Sequence, residues 1–212
     1  WDLSKFAGVS RQIGSSMKSV GEIMSIGQSF EEIIQKGLRM IGQGMHGFVG
    51  NRDLEFGNLE EELSHPTDLR IFAIAKAFEE GYSIDRIYNL TKIDPWFLGK
   101  LKNIHDYSLV LSKYDKIEDV PAAVLQEAKR LGFSDFQIAR FVEDPDGNIE
   151  KESLRVRAVR KKNNVLPSVK RINTVASENP ELTNYLYVTY DGTEHQVPYF
   201  KNEKSVVVLG SG

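Results

Sequence analysis

Helix start and stop signals follow one another so closely between residues 66 and 162 that the chain has little room for strands there. Asp94-Pro95 places an N-cap residue before a proline in a first helical turn, and Pro121 opens a further helix. Ser134–Gln137 has the capping-box pattern, and Gly132 stands where the preceding helix is expected to stop. The middle of the chain is therefore predicted to be mainly α-helical.

Further helix signals lie at the edges of this region. Ser29–Glu32 has the capping-box pattern and precedes apolar residues at helical spacing. A second helix is predicted to start at His65–Asp68, and the last one covers about 150–162. Residues 42–57 contain five glycines and are predicted to form a loop, which an acidic patch at Glu60–Glu62 follows.

Strand signals lie only near the C-terminal end. Tyr185–Tyr190 is followed by an Asp-Gly turn, and Ser205–Leu209 is a β-branched run followed by Gly-Ser-Gly. A buried strand before Gly-x-Gly begins many nucleotide-binding α/β units, so we expect this end to lead into a further α/β domain. In the isolated chain such a strand would lack partners, and partial unfolding of the fragment is one possible consequence.

Composition excludes several classes of function. The chain has no cysteine, which removes disulfide frameworks, thiolate metal sites and cysteine nucleophiles. With 27 basic and 30 acidic residues its net charge is −3, so the chain as a whole is not built to neutralise a phosphate backbone. No stretch approaches the ~18 consecutive apolar residues of a membrane span.

The histidines do not form a metal or catalytic motif in the sequence. They lie in four separate segments, without the helical spacing typical of metal ligands. One of them, His105, stands beside Asp106 and is interpreted as part of a surface pair. No catalytic, cofactor-binding or metal-binding residue is therefore expected in this chain.

A repeated pattern leaves a second function open. Gly81-Tyr82-Ser83 and Gly132-Phe133-Ser134 each separate two predicted helices. The repeat indicates either a duplicated helical hairpin or a helix-turn-helix whose second helix would read a major groove. Residues 150–171 carry a local charge of +6, which favours nucleic-acid binding, but the rest of the chain then carries −9. In the second helices only Gln137 and Arg140 are well suited to base edges. A stand-alone nucleic-acid-binding protein is thus the alternative interpretation.

Motifs along almost the whole chain resemble the large subunit of carbamoyl phosphate synthetase and occur in the same order as in that family. Their residues are more similar to those of eukaryotic members than to those of bacterial ones. Those at the beginning are similar to the end of the first synthetase half, those in the middle to the helical oligomerisation domain, and those at the end to the passage into the second half. The matching segments are Trp1–Phe6, Met17–Met24, Pro66–Phe72, Leu90–Leu98, Leu131–Ser134, Asn184–Tyr190 and Val206–Gly212.

The resemblance implies a mainly α fold, in which a helical oligomerisation domain is flanked by short α/β segments of neighbouring ATP-grasp-type synthetase units. Residues 1–45 would be the C-terminal end of the first, carboxyphosphate-forming unit. Residues 46–165 would be the helical oligomerisation domain. Residues 166–212 would be a linker, a strand, and the first strand and glycine turn of the second unit.

The resemblance also implies a parent enzyme that makes carbamoyl phosphate from bicarbonate, ammonia or glutamine, and two ATP. ATP, Mg2+ and K+ would bind outside this segment, which would link the synthetase halves and mediate oligomerisation without catalysis of its own. The implied partners are the flanking synthetase domains, further copies of the chain, and a glutaminase subunit or domain, with neither membrane nor nucleic acid. An intracellular enzyme is expected, and arginine or pyrimidine synthesis, in cytoplasm or mitochondria, stays open.

Two sets of residues are candidates for contacts. Phe136 stands where the family commonly has a lysine, and an aromatic side chain there could enlarge an apolar contact patch or fold back onto Phe133. We expect Phe136 or Trp96 to contribute to self-association. A second set is expected to pack on the first synthetase half, and comprises Met17, Lys18, Ser19, Val20, Gly21 and Glu22.

Overall fold

The computed structural model of the protein describes residues 3, 6–19, 21–41, 44–51, 54–143, 148–172 and 185–197. These residues are mainly helical, as the sequence predicts. The chain divides into two compact units, Trp1–Leu166 and Pro167–Gly212. The elements are α1 (Phe30–Met40), α2 (Leu59–Ser64), α3 (Arg70–Glu79), α4 (Ile84–Thr91), α5 (Pro95–Leu111), a short 3-10 helix (Ile117–Asp119), α6 (Ala122–Arg130), α7 (Asp135–Val142), α8 (Ile149–Lys162), β1 (Ser168–Arg171) and β2 (Leu186–Thr189).

The core of the first unit forms where the apolar faces of α3, α5, α6 and α7 meet. Ile74 of α3, Ile104 of α5 and Leu125 of α6 are almost completely buried. Each lies on a face where apolar residues recur at helical spacing, so that one stripe of the helix turns inward. Each such side chain stabilises the folded state by roughly 1.5–3 kcal/mol relative to exposure.

The two turns that repeat in the sequence also repeat in the structure. Gly81 and Gly132 follow their helices with φ angles of +81° and +83°. Ser83 and Ser134 then cap α4 and α7 by accepting hydrogen bonds from backbone N–H groups in the first turn. Around Ser134 the capping box is complete, because the Gln137 side chain accepts from the Ser134 N–H at 3.1 Å. The predicted repeat of a glycine stop followed by a serine cap and a second helix is confirmed.

The predicted start of α3 is wrong. The helix begins at Arg70 and not at His65–Asp68. Asp68 does not cap it, since its carboxylate is fully buried and accepts two hydrogen bonds from the Arg11 guanidinium, both 2.8 Å long. The acidic patch that precedes it lies in the first turn of α2, a helix for which no start was predicted.

Helix α1 begins as predicted but closes its first turn differently. Ser29 Oγ accepts a hydrogen bond from the Glu32 N–H at 3.2 Å. The Glu32 carboxylate, however, reaches the N–H of Gln28 at 2.8 Å, one residue before the N-cap. The reciprocal bond of the capping box is thus displaced by one residue.

Helix α1 docks on the turn between α6 and α7 through polar groups. The Arg39 guanidinium donates to the carbonyl oxygen of Gly132 at 2.8 Å, and the Gln137 amide donates to Gln35 Oε1 at 3.1 Å. Gly132 lies so near that a Cβ there would meet Gln35 Cβ at 2.9 Å and Glu32 Cα at 3.0 Å. Helix α1 is therefore bound directly to the helical domain, while the proposed boundary at residue 45 stays a prediction.

The second unit contains a two-stranded antiparallel sheet. Ser168 pairs with Thr189, and Arg171 pairs with Leu186. The second strand was predicted from its aromatic and β-branched residues, whereas the first was not. The predicted strand at 205–209 and the glycines after it lie outside the described residues.

Candidate self-association surface

The start of α5 places two large aromatic side chains in solvent. Asp94 caps the helix by accepting a hydrogen bond from the Trp96 N–H at 2.8 Å, and Pro95 occupies the first turn. Trp96 is 56% exposed and Phe97 44%. The buried face of α5 begins one residue later, at Leu98. Trp96 and Phe97 thus lie beyond the core that the rest of the helix helps to form.

These two residues and Phe30 of α1 form an aromatic cluster. The Phe30 ring centroid lies 5.8 Å from that of Trp96 and 5.4 Å from that of Phe97, and the Trp96 and Phe97 rings are 5.0 Å apart, edge to face. The Lys100 ammonium lies 5.5 Å from the Trp96 ring and 3.4 Å from the Glu31 carboxylate. Exposed aromatic side chains that neighbours hold in place are typical of the energetic centre of protein interfaces.

The structure places Phe136 in a different environment from Trp96. Its half-buried ring stacks on that of His46, with centroids 3.9 Å apart, and lies 5.4 Å from the Arg140 guanidinium carbon. Phe133 is buried and its ring lies against Tyr107 and Phe141. The aromatic contacts of Phe136 are thus with the loop before α2 and with its own helix.

Four of the six residues expected to face the first synthetase half line one groove. Lys18, Ser19, Gly21 and Glu22 line a cavity of about 580 Å³ together with residues of α3. Met17 is 97% exposed. The remaining residue of the set, Val20, lies outside the described residues.

The two residues that favoured nucleic-acid binding form hydrogen bonds within the chain. Gln137 is 1% exposed and donates to Gln35 Oε1 and to the Val49 carbonyl oxygen. Arg140 donates to the carbonyl oxygen of Gly50 at 2.6 Å. The side chains best suited to base edges in the second of the repeated hairpins are therefore committed to intrachain bonds, which does not support a helix-turn-helix reading.

The basic helix α8 is also partly neutralised by acidic residues of the chain. Arg155 forms ion pairs with Glu118, Glu143 and Glu152. Arg160 binds the Asp135 carboxylate at 2.9 Å, and Lys129 of α6 binds the same carboxylate at 2.9 Å. Burial lowers the pKa of Lys129 to about 8. This ion-pair site, which the sequence reading missed, joins α6, α7 and α8.

The interpretation of His105 as a surface residue is wrong. The side chain is 7% exposed and stacks on Phe78, with ring centroids 5.9 Å apart. Its Nδ1 atom has no hydrogen-bond partner within the described part of the chain. Burial lowers the pKa of the imidazole. The burial of His105 could have been predicted from its helical spacing to Leu101 and Ile104, which places it on the buried face of α5.

The residues that the structure describes contain neither a metal-binding cluster nor a membrane-spanning helix. No group of three or more histidine, cysteine, aspartate or glutamate residues there could hold a metal ion. No described helix is both long and apolar enough to cross a bilayer.

Comparison with known proteins defines the family of this helical chain. The family model for the carbamoyl-phosphate synthetase large chain, oligomerisation domain, matches residues 22–164. The chain belongs to this family, as its motifs predicted.

Relatives with high identity match the chain over its whole length. It is 51% identical to the multifunctional protein pyr1-3 of Dictyostelium discoideum and 50% identical to the multifunctional protein CAD of Squalus acanthias, and it covers 9% of each. It is 45% identical to the mitochondrial arginine-specific carbamoyl phosphate synthase large chain of Schizosaccharomyces pombe, of which it covers 17%. The chain thus spans less than a fifth of these relatives.

Proposed function

We propose that this chain holds copies of a carbamoyl phosphate synthetase together through its aromatic cluster. The observation that carries the proposal is the position of Trp96, which is 56% exposed and is supported by Phe30 and Phe97. A tryptophan that stays exposed in the folded chain, yet is held by its neighbours, can bury a large apolar area at little cost in conformational entropy.

The whole polypeptide is proposed to make carbamoyl phosphate from bicarbonate, ammonia or glutamine, and two ATP. ATP, Mg2+ and K+ would bind outside this segment, which has no catalytic role of its own in this proposal. The names of the relatives support this assignment, and one of them is an arginine-specific mitochondrial enzyme. An intracellular location and a glutaminase partner, in the same chain or in a separate subunit, belong to the same proposal.

Within that polypeptide the segment is proposed to link the two synthetase halves. Residues 1–45 would end the first unit, 46–165 would form the oligomerisation domain, and 166–212 would lead into the second unit. Exposure of the apolar Met17 side chain, at 97%, supports a contact between residues 17–22 and the first unit. The groove that this segment lines with α3 would form part of the same contact.

The self-association surface is tested by Trp96→Lys with Leu109→Lys as a matched control. Both residues lie on α5, and their exposed fractions are nearly equal, at 56% and 54%. Sedimentation velocity should show Trp96→Lys displaced towards the monomer, while Leu109→Lys sediments like the unmodified chain. Far-ultraviolet circular dichroism verifies that both variants are folded. Association of Trp96→Lys equal to that of the control would contradict the proposal.

Phe136 is proposed as a second contributor to the surface. Phe136→Glu removes a half-buried ring and its stacking on His46. The unfolding free energy of this variant must therefore be measured together with the mass of the assembly that it forms. We expect a smaller displacement towards the monomer than for Trp96→Lys, because less of the Phe136 ring faces solvent. An unchanged mass would remove Phe136 from the surface and leave Trp96 in place.

A further inference from the structure

Helix α8 has one face against the rest of its unit and another in solvent. Val156 is 1% exposed, and α8 packs against α7 and the short 3-10 helix. The solvent face carries Leu154, which is 63% exposed, and Ala158, which is also exposed. These two residues lie four positions apart, so they are neighbours on the helix surface. The solvent face of α8 thus has a small apolar centre.

Basic side chains surround this apolar centre. Four of them are exposed, and each lies three or four positions from Leu154 or Ala158, which is the spacing of neighbours on a helix surface. They are Lys151, Arg157, Lys161 and Lys162. Together with Leu154 and Ala158 these residues define a surface that we call the basic face of α8.

The cations of the basic face differ from the other two cations of the helix. Arg155 pairs with three glutamates, and Arg160 pairs with Asp135. The four cations of the basic face make no side-chain ion pair or hydrogen bond within the part of the chain that the structure describes. Two of them, Arg157 and Lys161, lie four positions apart, where like charges repel each other. The chain thus leaves the positive charge of this face uncompensated.

The helix macrodipole explains only part of the basic face. Lys161 and Lys162 lie in the last turn of α8, where a cation stabilises the helix. Lys151 lies in the first turn, where a cation is unfavourable, and Arg157 lies in the middle. The exposed Leu154 side chain gains nothing from the dipole. Stability of the helix therefore does not account for the whole surface.

We propose that the basic face of α8 binds an acidic segment of a partner protein, which places an apolar side chain on Leu154. Carboxylates of the segment would lie against cations that the chain leaves unpaired, and such complementary charges orient a partner and speed its association. None of the six residues belongs to the aromatic cluster, so this inference does not depend on self-association.

The apolar centre decides which kind of anion fits the face. A phosphate backbone would use the four cations, but it would leave Leu154 without an apolar partner. A bilayer surface is bound by helices with a much larger apolar face than Leu154 and Ala158 provide. A protein segment offers carboxylates and an apolar side chain together, which is the composition that this face requires.

Fluorescence anisotropy with three labelled probes tests the proposal. The first is a peptide of glutamates and leucines, the second is the same peptide with every leucine replaced by glutamine, and the third is a short DNA duplex. The chain should bind the first peptide about tenfold more tightly than the second, because only the first can cover Leu154. Its affinity should fall as the salt concentration rises, since salt screens exposed charges. Tighter binding of the duplex, or equal binding of the two peptides, would overturn the proposal.

Matched variants locate the binding site on α8. Lys161→Glu and Lys92→Glu make the same change of charge at exposed lysines, one in the last turn of α8 and the other at the C-cap of α4. Lys161→Glu should weaken binding of the glutamate–leucine peptide about tenfold, and Lys92→Glu should leave it nearly unchanged. Equal weakening by both variants would mean that the chain attracts the peptide by its general charge, which would overturn the proposal.

Two further measurements separate the apolar contact and the other possible occupant. Leu154→Gln should weaken binding of the glutamate–leucine peptide and leave that of the glutamine-substituted peptide unchanged. Equal effects on the two peptides would contradict the contact with Leu154. In sedimentation velocity Lys161→Glu should associate like the unmodified chain. Weaker association would make the basic face a contact between copies of the chain and would overturn the assignment to a partner protein.

Discussion

Gly132 and Gly81 both have a positive φ angle, but only at Gly132 would an added side chain also clash with a neighbouring helix. Both have φ near +80°, where an alanine costs about 1 kcal/mol. A Cβ on Gly81 meets no atom within 4 Å, whereas on Gly132 it meets the backbone of α1 at Glu32. This difference makes the two glycines a matched pair for measuring how firmly α1 is docked.

We therefore expect Gly132→Ala to lower the unfolding free energy by about 1–3 kcal/mol more than Gly81→Ala does. The physical reason is that the new methyl group forces α1 away from the turn between α6 and α7. Urea denaturation of the two variants measures the difference. Equal losses would show that α1 does not rest on this turn in solution.

His105 makes stability depend on pH in a definite direction. Burial lowers the pKa of its imidazole below the ordinary value of 6.5. The charges of Asp106 and Glu79 raise this pKa and that of Lys102 lowers it, but burial has the largest effect. As the pH falls, His105 is therefore protonated in the unfolded chain before it is protonated in the folded chain. The stability that depends on neutral His105 is fully present above pH 6.5 and is lost as the pH falls below it.

A His105→Leu variant should lose this dependence, because it fills the same buried site with a group that does not titrate. The unfolding free energy of the unmodified chain should fall relative to that of the variant between pH 7.5 and pH 5. Chemical denaturation at a series of pH values measures both. A constant difference across this range would mean that His105 is as easily protonated in the folded chain as in the unfolded one.

At the scale of elements, the carboxylate of Asp135 joins three helices. It binds Lys129 of α6 and Arg160 of α8 at 2.9 Å, and the side chains of all three residues are mostly buried. Removing this carboxylate takes a negative charge from between two mostly buried cations, which is more costly than losing an exposed pair. The exposed ion pair between Glu118 and Arg155 offers the comparison.

Asp135→Asn should lower the unfolding free energy by about 3–5 kcal/mol, the cost of breaking a buried ion pair by removing one partner. Glu118→Gln should lower it by no more than about 1 kcal/mol, because water and salt screen the pair that it breaks. Guanidinium chloride would itself screen these charges, so urea is the denaturant to use. Similar losses in the two variants would contradict the role assigned to Asp135.

The elements that the sequence predicted best are those whose signals are local. Asp94, Ser83 and Ser134 cap the helices that directly follow them, so neighbouring residues contain all the information required. The start of α3 could not be predicted in this way, because Asp68 is engaged by Arg11, 57 residues away along the chain. The strand β1 depends in the same way on a distant partner, β2.

The candidate site was predictable only in part, for the same reason. Trp96 could be singled out from the sequence, but its support by Phe30 requires α1 to lie beside α5. That arrangement depends on long-range bonds such as the one from Asn103 to the Glu31 carboxylate, 2.9 Å long.

At the scale of the whole molecule, membership of the family and exposure of the aromatic cluster lead to one expectation. The chain matches an oligomerisation domain over residues 22–164, and Trp96, at the start of α5, is 56% exposed. Self-association should therefore be a property of this chain itself. It should not require the remaining parts of the relatives, of which the chain spans under a fifth.

Sedimentation equilibrium of the unmodified chain over a wide range of concentrations is the most direct test. The chain weighs 24.0 kDa, and its weight-average mass should rise above this value as the concentration increases. The increase should be reversible on dilution and should be reduced by Trp96→Lys. A mass that stays at 24.0 kDa at every concentration would contradict the account, because the chain would then not bind further copies of itself.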